Sequence, residues 1–174
     1  ITYIVHNNQV FGLTKGQASP MSGPGMVTGT TPKGVAYESF NPLALAITLN
    51  AGFVARSYAA DQQHLIKTLQ AAVQHPGFAL VDVLQPCVTF NKINTYQWYR
   101  SRVYDLNQDP NYDPHDRSMA WERSWEWGEK IPIGIFYKVN RPTLADSIPA
   151  LKSGPLVKQP LVSPNLDEVL AQFK

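Results

Sequence analysis

Residues 53–84 read FVARSYAADQQHLIKTLQAAVQHPGFALVDVL, and the fold follows from how that stretch is parsed. Phe53 to Tyr58 has the composition of a strand. Asp61 stands where a side-chain oxygen can cap a helix, and Leu65, Ile66, Leu69 and Val73 recur at helical spacing until Pro76-Gly77 stops the pattern. Phe78 to Leu84 is a continuous apolar run interrupted only by Asp82, as expected of a strand covered on both faces. Strand, helix, strand in this rhythm predicts a parallel α/β sheet.

Upstream, Asn41-Pro42 opens a helix whose apolar face is Leu45, Ala46, Ile47 and Leu49, and Asn50-Ala51-Gly52 closes it. Ile1 to Val5 reads as a buried strand ended by the turn signal His6-Asn7-Asn8. Between them, residues 12–36 are rich in Gly, Pro, Ser and Thr, a loop long enough to expect function or disorder. Sheets of this class bind ligands at the carboxyl ends of their strands. Two such ends carry unusual sequence, from Asn7-Asn8 onward and from Pro86-Cys87 onward.

Downstream the character changes. Residues 94–129 hold all four tryptophans (Trp98, Trp121, Trp125, Trp127), and two helices are expected there around the loop Asp109 to Pro114. Trp121 and Trp125 are one helical turn apart, which favours core or interface packing over a ligand cage. Ile133 to Val139 reads as a further strand. The Pro-rich tail from Arg141 should end in a short amphipathic helix at Leu166, Val169, Leu170 and Phe173, packed on a neighbour.

The 174 residues, 44% apolar and 16% charged, suffice for one core. A net charge of +2 with no Lys/Arg run gives no nucleic-acid signature. The apolar runs are too short for a bilayer crossing, and no signal-peptide pattern opens the chain. One cysteine excludes an internal disulfide framework and fits a reducing compartment, so a cytoplasmic protein is expected. The start Ile1-Thr2-Tyr3-Ile4-Val5, without Met or a polar lead-in, suggests a chain beginning in mid-fold.

Two segments carry chemistry. In Asn8-Gln9-Val10-Phe11-Gly12-Leu13-Thr14-Lys15-Gly16-Gln17, an amide oxygen and loop carbonyls are hard ligands suited to Mg²⁺ on a phosphate. The glycines permit close backbone approach, and Lys15 offers a positive charge to an anion. Read alone, the same residues also suit a plain turn with a solvated lysine. In Gln85-Pro86-Cys87-Val88-Thr89-Phe90-Asn91, a lone cysteine after a buried strand is by composition an inert small hydrophobe.

Both segments resemble the β subunits of 2-oxoacid:ferredoxin oxidoreductases. His6 to Pro20 is similar to the loop that ends that family's thiamine-diphosphate motif. Gly12-Leu13-Thr14-Lys15-Gly16-Gln17 matches the two-subunit 2-oxoacid branch, and Pro86 to Asn91 resembles the segment with the distal ligand of a [4Fe–4S] cluster. Ile131 to Pro142 resembles the family's C-terminal strand. Phe11 stands where Tyr is common and Asn7 where Asp is common.

The resemblance implies an α/β thiamine-diphosphate-binding fold, a mainly parallel sheet with helices on both faces, truncated at the N-terminus. Residues 1–92 would be the C-terminal part of that domain, and 93–174 an aromatic-rich extension packing on it or on a partner subunit. It implies Mg²⁺ held by the Asn8 side chain and the Val10 carbonyl, cofactor contacts from Asn8, Val10, Gly12, Leu13 and Thr14, and Cys87 as one cluster thiolate. The other three cysteines would lie outside this chain, as would the family's Gly-Asp-Gly-Asp element. Lys15 is the candidate for substrate recognition. The implied activity is coenzyme A-dependent oxidative decarboxylation of pyruvate or 2-oxoglutarate, with an α subunit and ferredoxin as partners. This chain alone would be inactive. The competing expectations are a cluster-free thiamine-diphosphate decarboxylase or synthase, and a non-catalytic interaction module.

Overall fold

The computed structural model describes residues 1–159 and 165–173. They form two compact units, Ile1–Arg141 and Pro142–Lys174. The first is built on a five-stranded sheet. In chain order it contains β1 (Thr2–Asn7), a small hairpin of β2 (Val10–Phe11) and β3 (Gln17–Ala18), α1 (Pro42–Thr48), β4 (Phe53–Tyr58), α2 (Gln62–Gln74), β5 (Ala79–Leu84), α3 (Tyr96–Arg100), β6 (Val103–Asp105), α4 (Arg117–Ser124) and β7 (Ile131–Lys138). The second contains short helices, α5 (Leu144–Ser147) and α6 (Leu166–Ala171) among them. The expected terminal helix at Leu166 to Phe173 is thus present as α6, capped by Asn165.

The strand order is β1-β5-β4-β7-β6. β1, β5 and β4 are mutually parallel, β7 runs antiparallel to β4, and β6 is parallel to β7. Returning from β4 to β5 reverses the direction of travel across the sheet. Right-handed crossovers then put α1 and α2 on opposite faces. The burial agrees. Val54, Leu80 and Phe136 pack with Leu43, Ala46 and Ile47 of α1 and Ala120 of α4 on one face. Phe53, Ala55, Val81 and Val83 pack with Ala72, Leu65 and Leu69 of α2 on the other. The alternation of Phe53, Val54 and Ala55 between two apolar layers explains why β4 reads as continuously apolar. Asn41 and Asp61 accept from the backbone N–H of Ala44 and His64 as N-caps of α1 and α2.

Several expectations need correction. β1 is not buried: among the described residues it is an edge strand paired only with β5, and Tyr3 and Ile4 are 58% and 41% exposed. The covered face of α1 is Leu43, Ala44, Ala46 and Ile47, while Leu45 and Leu49 are 46% and 70% exposed. In α2 the packed residues are Leu65, Thr68, Leu69 and Ala72, with Ile66 and Val73 exposed. The apolar stripe of each helix is wider than the part the sheet covers. Between the two helices expected in 94–129 the chain also inserts β6, whose three residues are too few for periodicity to register. Trp121 and Trp125 are not core residues. They sit exposed and pack edge-on against each other, with ring centroids 5.7 Å apart.

At the antiparallel join, the β4–β7 register slips beside Val54 and Ala55; on the opposite side of β7, the Asn107 side chain takes over the hydrogen bonding where β6 ends. Its Oδ1 accepts from Ile135 N–H at 2.6 Å and its Nδ2 donates to the Ile135 carbonyl at 2.9 Å. Gly134 beside it has φ +114, and a Cβ there would meet Asp105 Oδ1 at 2.9 Å, so only glycine fits.

Candidate functional site

The parallel register β1–β5 pairs Asn7 with Leu84, so these adjacent strands end level with each other. The segments that leave them, 8–18 and 85–95, are consequently neighbours. Gln85 N–H donates to the Asn7 carbonyl at 2.9 Å, and His6 Nδ1 lies 2.5 Å from Gln85 Oε1.

The first segment turns sharply at Gln9, whose φ of 62 is left-handed. Asn8 Oδ1 accepts from Val10 N–H at 3.1 Å, and Ser22 Oγ donates to the Gln9 carbonyl at 2.5 Å. Val10 is buried with Met26, Val35, Ala18 and Cys87 in a small apolar cluster under the loop. Part of the long 12–36 loop therefore has its own packing and hairpin. A second tight turn follows. Gly16 N–H donates to the Phe11 carbonyl at 3.0 Å, Lys15 N–H to the Gly12 carbonyl at 3.1 Å, and Thr14 Oγ1 to the Phe11 carbonyl at 3.2 Å. Lys15 and Gly16 are both left-handed, with φ of 68 and 82. For lysine this costs about 1–2 kcal/mol. The turn thereby holds Lys15 and Leu13 at the exposed surface.

The second segment brings Cys87, half-buried and free, against the first. A Cβ at Gly12 would lie 3.2 Å from Cys87 Sγ and 3.7 Å from Asn8 Nδ2. A Cβ at Gly16 would stand 2.7 Å from the Phe90 ring. Neither glycine can carry a side chain without moving its neighbour. Asn8, Val10, Gly12 and Cys87 are thus gathered in one place, with Leu13, Thr14 and Lys15 on the rim.

The residues fit the implied groups. A carbonyl oxygen has two lone pairs, and Asn8 Oδ1 spends one on Val10 N–H, leaving one for a hard cation. The Asn7 Oδ1 atom is buried with no hydrogen-bond partner among the described residues. The chain's one cysteine can give an iron–sulfur cluster one of its four thiolates. Among the described residues no group of three or more His, Cys, Asp or Glu could hold a metal, so what this segment itself offers a cation is amide and carbonyl oxygens.

Sequence reasoning overlooked a buried polar group deeper in the sheet. Arg56 of β4 and Asp82 of β5 are register partners, with Nε and Oδ2 2.9 Å apart and side chains 4% and 0% exposed. The guanidinium lies 5.4 Å from the Trp127 ring centroid and 5.6 Å from that of Phe136. Tyr99 is buried near both, and burial, reinforced by Asp82, pushes its phenol well above the usual range. Arg56 Nη1, Asp82 Oδ1 and the Tyr99 hydroxyl all lack hydrogen-bond partners among the described residues. One cation and one anion, each alone in an otherwise apolar strand, was the available signal. A serine–histidine–acid alignment, Ser57 Oγ 2.8 Å from His64 Nδ1 and His64 Nε2 4.0 Å from Asp105, is no nucleophilic site, because Ser57 is fully buried and the second distance is too long for a hydrogen bond.

Residues 1–83 match the family model of the thiamine pyrophosphate enzyme C-terminal TPP binding domain, and residues 87–153 match that of the C-terminal region of the pyruvate ferredoxin oxidoreductase beta subunit. The β subunit of 2-oxoacid:ferredoxin oxidoreductase from Saccharolobus solfataricus is 48% identical over 147 residues, covering 79% of this chain and 48% of that protein. The chain belongs to the 2-oxoacid:ferredoxin oxidoreductase β-subunit family. A second β subunit of the same name, from a Sulfolobus species, is 43% identical over 168 residues, covering 84% of this chain and 55% of that protein. The structure of 2-oxoglutarate:ferredoxin oxidoreductase from Magnetococcus marinus, with 2-oxoglutarate, coenzyme A and succinyl-CoA bound, superposes at a TM-score of 0.85 and 34% identity. That match covers 99% of this chain and 58% of the other. The chain spans about half the length of the curated relatives it matches. No helix among the described residues is long and apolar enough to cross a membrane.

Proposed function

We propose that this chain forms part of the β subunit of an enzyme catalysing coenzyme A-dependent oxidative decarboxylation of a 2-oxoacid of the pyruvate or 2-oxoglutarate type. The observation that carries the reading is the contact between the two loops, with the Gly12 Cβ position 3.2 Å from Cys87 Sγ. It supports a reading in which a cofactor loop lies against the thiol that would serve as the electron exit.

In this reading Asn8 Oδ1 and the Val10 carbonyl hold Mg²⁺ on the diphosphate, and Gly12, Leu13 and Thr14 line the cofactor. Cys87 supplies one thiolate of a [4Fe–4S] cluster, the other three coming from outside this chain. Thiamine diphosphate supplies the electron sink for decarboxylation, and the protein supplies binding, orientation and the electron path toward ferredoxin. The Asn8–Val10 turn fixes the angle between the two metal ligands. The apolar cluster of Val10, Met26 and Val35 backs the half-buried Cys87 under the loop. Lys15 is poised on the rim to meet a substrate carboxylate. Residues 1–92 would form the cofactor-binding part, and 93–174 the extension packing on it or on an α subunit, in a cytoplasmic enzyme.

Asn8→Ala in the complete enzyme tests this reading. Calorimetric affinity for thiamine diphosphate should fall, and the loss should deepen as Mg²⁺ is lowered. Unchanged affinity at low Mg²⁺ would refute the ligand assignment.

A further inference from the structure

One side chain joins the two loops, and it is not among the ligands. Asn91 is fully buried. Its Oδ1 accepts from the backbone N–H of Ile93 at 3.0 Å and of Asn94 at 2.9 Å. Its Nδ2 donates to the backbone carbonyl of Asn8 at 3.1 Å and to Asn94 Oδ1 at 3.2 Å. Two donors and two acceptor sites are the whole capacity of a carboxamide, so every one is spent inside the protein. The Asn91 backbone N–H also donates to the Cys87 carbonyl at 2.9 Å, closing the turn that presents the thiol. Residue 91 therefore grips the Cys87 turn with its main chain and the Asn8 peptide, 83 residues away, with its side chain.

We infer that Asn91 is a positioning residue that locks the metal-side loop to the cysteine loop, so that a disturbance in either is felt in the other. The inference rests on the reading of Asn8, Val10 and Cys87 given above. Three features make the lock stiff. The Asn8 carbonyl has a buried donor in place of a mobile water, and a buried donor is costly to leave unmet. A Cβ at Gly12 would sit tight against Cys87 Sγ, and Gly16 has no room for one beside Phe90, so the loops touch at both ends of the tether. Lys15 and Gly16 close their turn with left-handed backbone, which leaves the loop few other conformations. A local turn-capping role alone would need only the bonds to Ile93 and Asn94. The bond to Asn8 is the one that reaches across.

The coupling is tested by mutating one loop and reading the other, in the complete cofactor-loaded enzyme. Asn91→Asp keeps both acceptor positions but loses both donors and places a carboxylate against the Asn8 carbonyl. It should raise the Kd for Mg²⁺–thiamine diphosphate about tenfold, equivalent to about 1.4 kcal/mol. Asn94→Ala removes a local partner and keeps the tether, so its Kd should stay within about threefold of wild type. Gly12→Ala, on the cofactor loop, should shift the electron paramagnetic resonance spectrum of the reduced cluster by pressing on Cys87 Sγ. An unchanged Kd in Asn91→Asp, an equal loss in Asn94→Ala, or an unaltered cluster spectrum in Gly12→Ala would each overturn the coupling. If Asn91→Asp does not fold, Asn91→Ser, too short to reach the Asn8 carbonyl, takes its place: the same rise in Kd is expected, and an unchanged Kd would overturn the coupling. Failure of the underlying assignment looks different: wild-type cofactor affinity in Asn8→Ala together with wild-type iron content in Cys87→Ala.

Discussion

Replacing Asp82 by alanine should be among the most damaging changes outside the cofactor loops, for electrostatic reasons that can be followed atom by atom. The pair is dry, with Arg56 Nε 2.9 Å from Asp82 Oδ2 and side chains 4% and 0% exposed. Truncating Asp82 leaves the guanidinium buried between Trp127 and Phe136 with no counter-ion, and breaking such a pair costs about 3–5 kcal/mol. About 1 kcal/mol moves the melting temperature of a 150–250-residue protein by roughly 2–4 °C and that of a subunit about twice this chain's length by about half as much, so a fall of about 3–10 °C is expected. The double variant Arg56→Met/Asp82→Leu removes both charges and fills similar volume. It should recover most of that loss, because an apolar pair of similar size is often as stable as a buried ion pair. Scanning calorimetry of the complete β subunit, under identical cofactor loading, measures all three proteins. A shift below about 2 °C in Asp82→Ala, or a double variant as unstable as the single, would refute the view that the unpaired charge is the source of the damage.

Two further outcomes follow from the same structure. Burial first, then the positive charge of Lys138, hold the His75 imidazole below its ordinary value, and its Nδ1 has no partner. The folded state therefore binds the proton less readily than the unfolded one, so stability present above the ordinary histidine value near 6.5 is lost as pH falls below it. His75→Gln should flatten the melting profile between pH 7.5 and 5.5, and an unchanged slope would count against His75 as its source. Lys15→Ala should lower kcat/KM about ten- to hundred-fold for one 2-oxoacid more than another, with cofactor affinity retained, as loss of a charge-assisted hydrogen bond to a carboxylate requires. Equal losses across pyruvate, 2-oxobutyrate and 2-oxoglutarate would remove Lys15 from substrate recognition.

The sheet was legible in the sequence because β4, α2 and β5 differ in period and are separated by Asp61 and Pro76-Gly77, signals that act locally. Lateral arrangement was not legible. That β5 lies between β1 and β4, which leaves β1 on the edge, depends on pairing between residues as far apart as Thr2 and Ala79. β6 escaped notice because three residues show no alternation, and it is held by β7 rather than by its own pattern. Leu45, Leu49, Ile66 and Val73 looked like core because periodicity reports an apolar stripe and not what covers it. At the site, Asn8, Gly12 and Cys87 stood out through their motifs, and the structure brings them together. Asn91 and Arg56 did not stand out, since each acquires its role from a partner distant in sequence.

The central claim is that the Cys87 loop serves an iron–sulfur centre set against a thiamine-diphosphate loop, and iron analysis tests it most directly. Cys87→Ala, made in the complete β subunit with its α partner, should be purified anaerobically and assayed for iron, acid-labile sulfide and visible absorption. A [4Fe–4S] cluster normally takes four thiolates, and this chain offers one, so removing it should abolish or sharply deplete the cluster while leaving thiamine diphosphate bound. Iron content and absorption equal to wild type in Cys87→Ala would contradict the account.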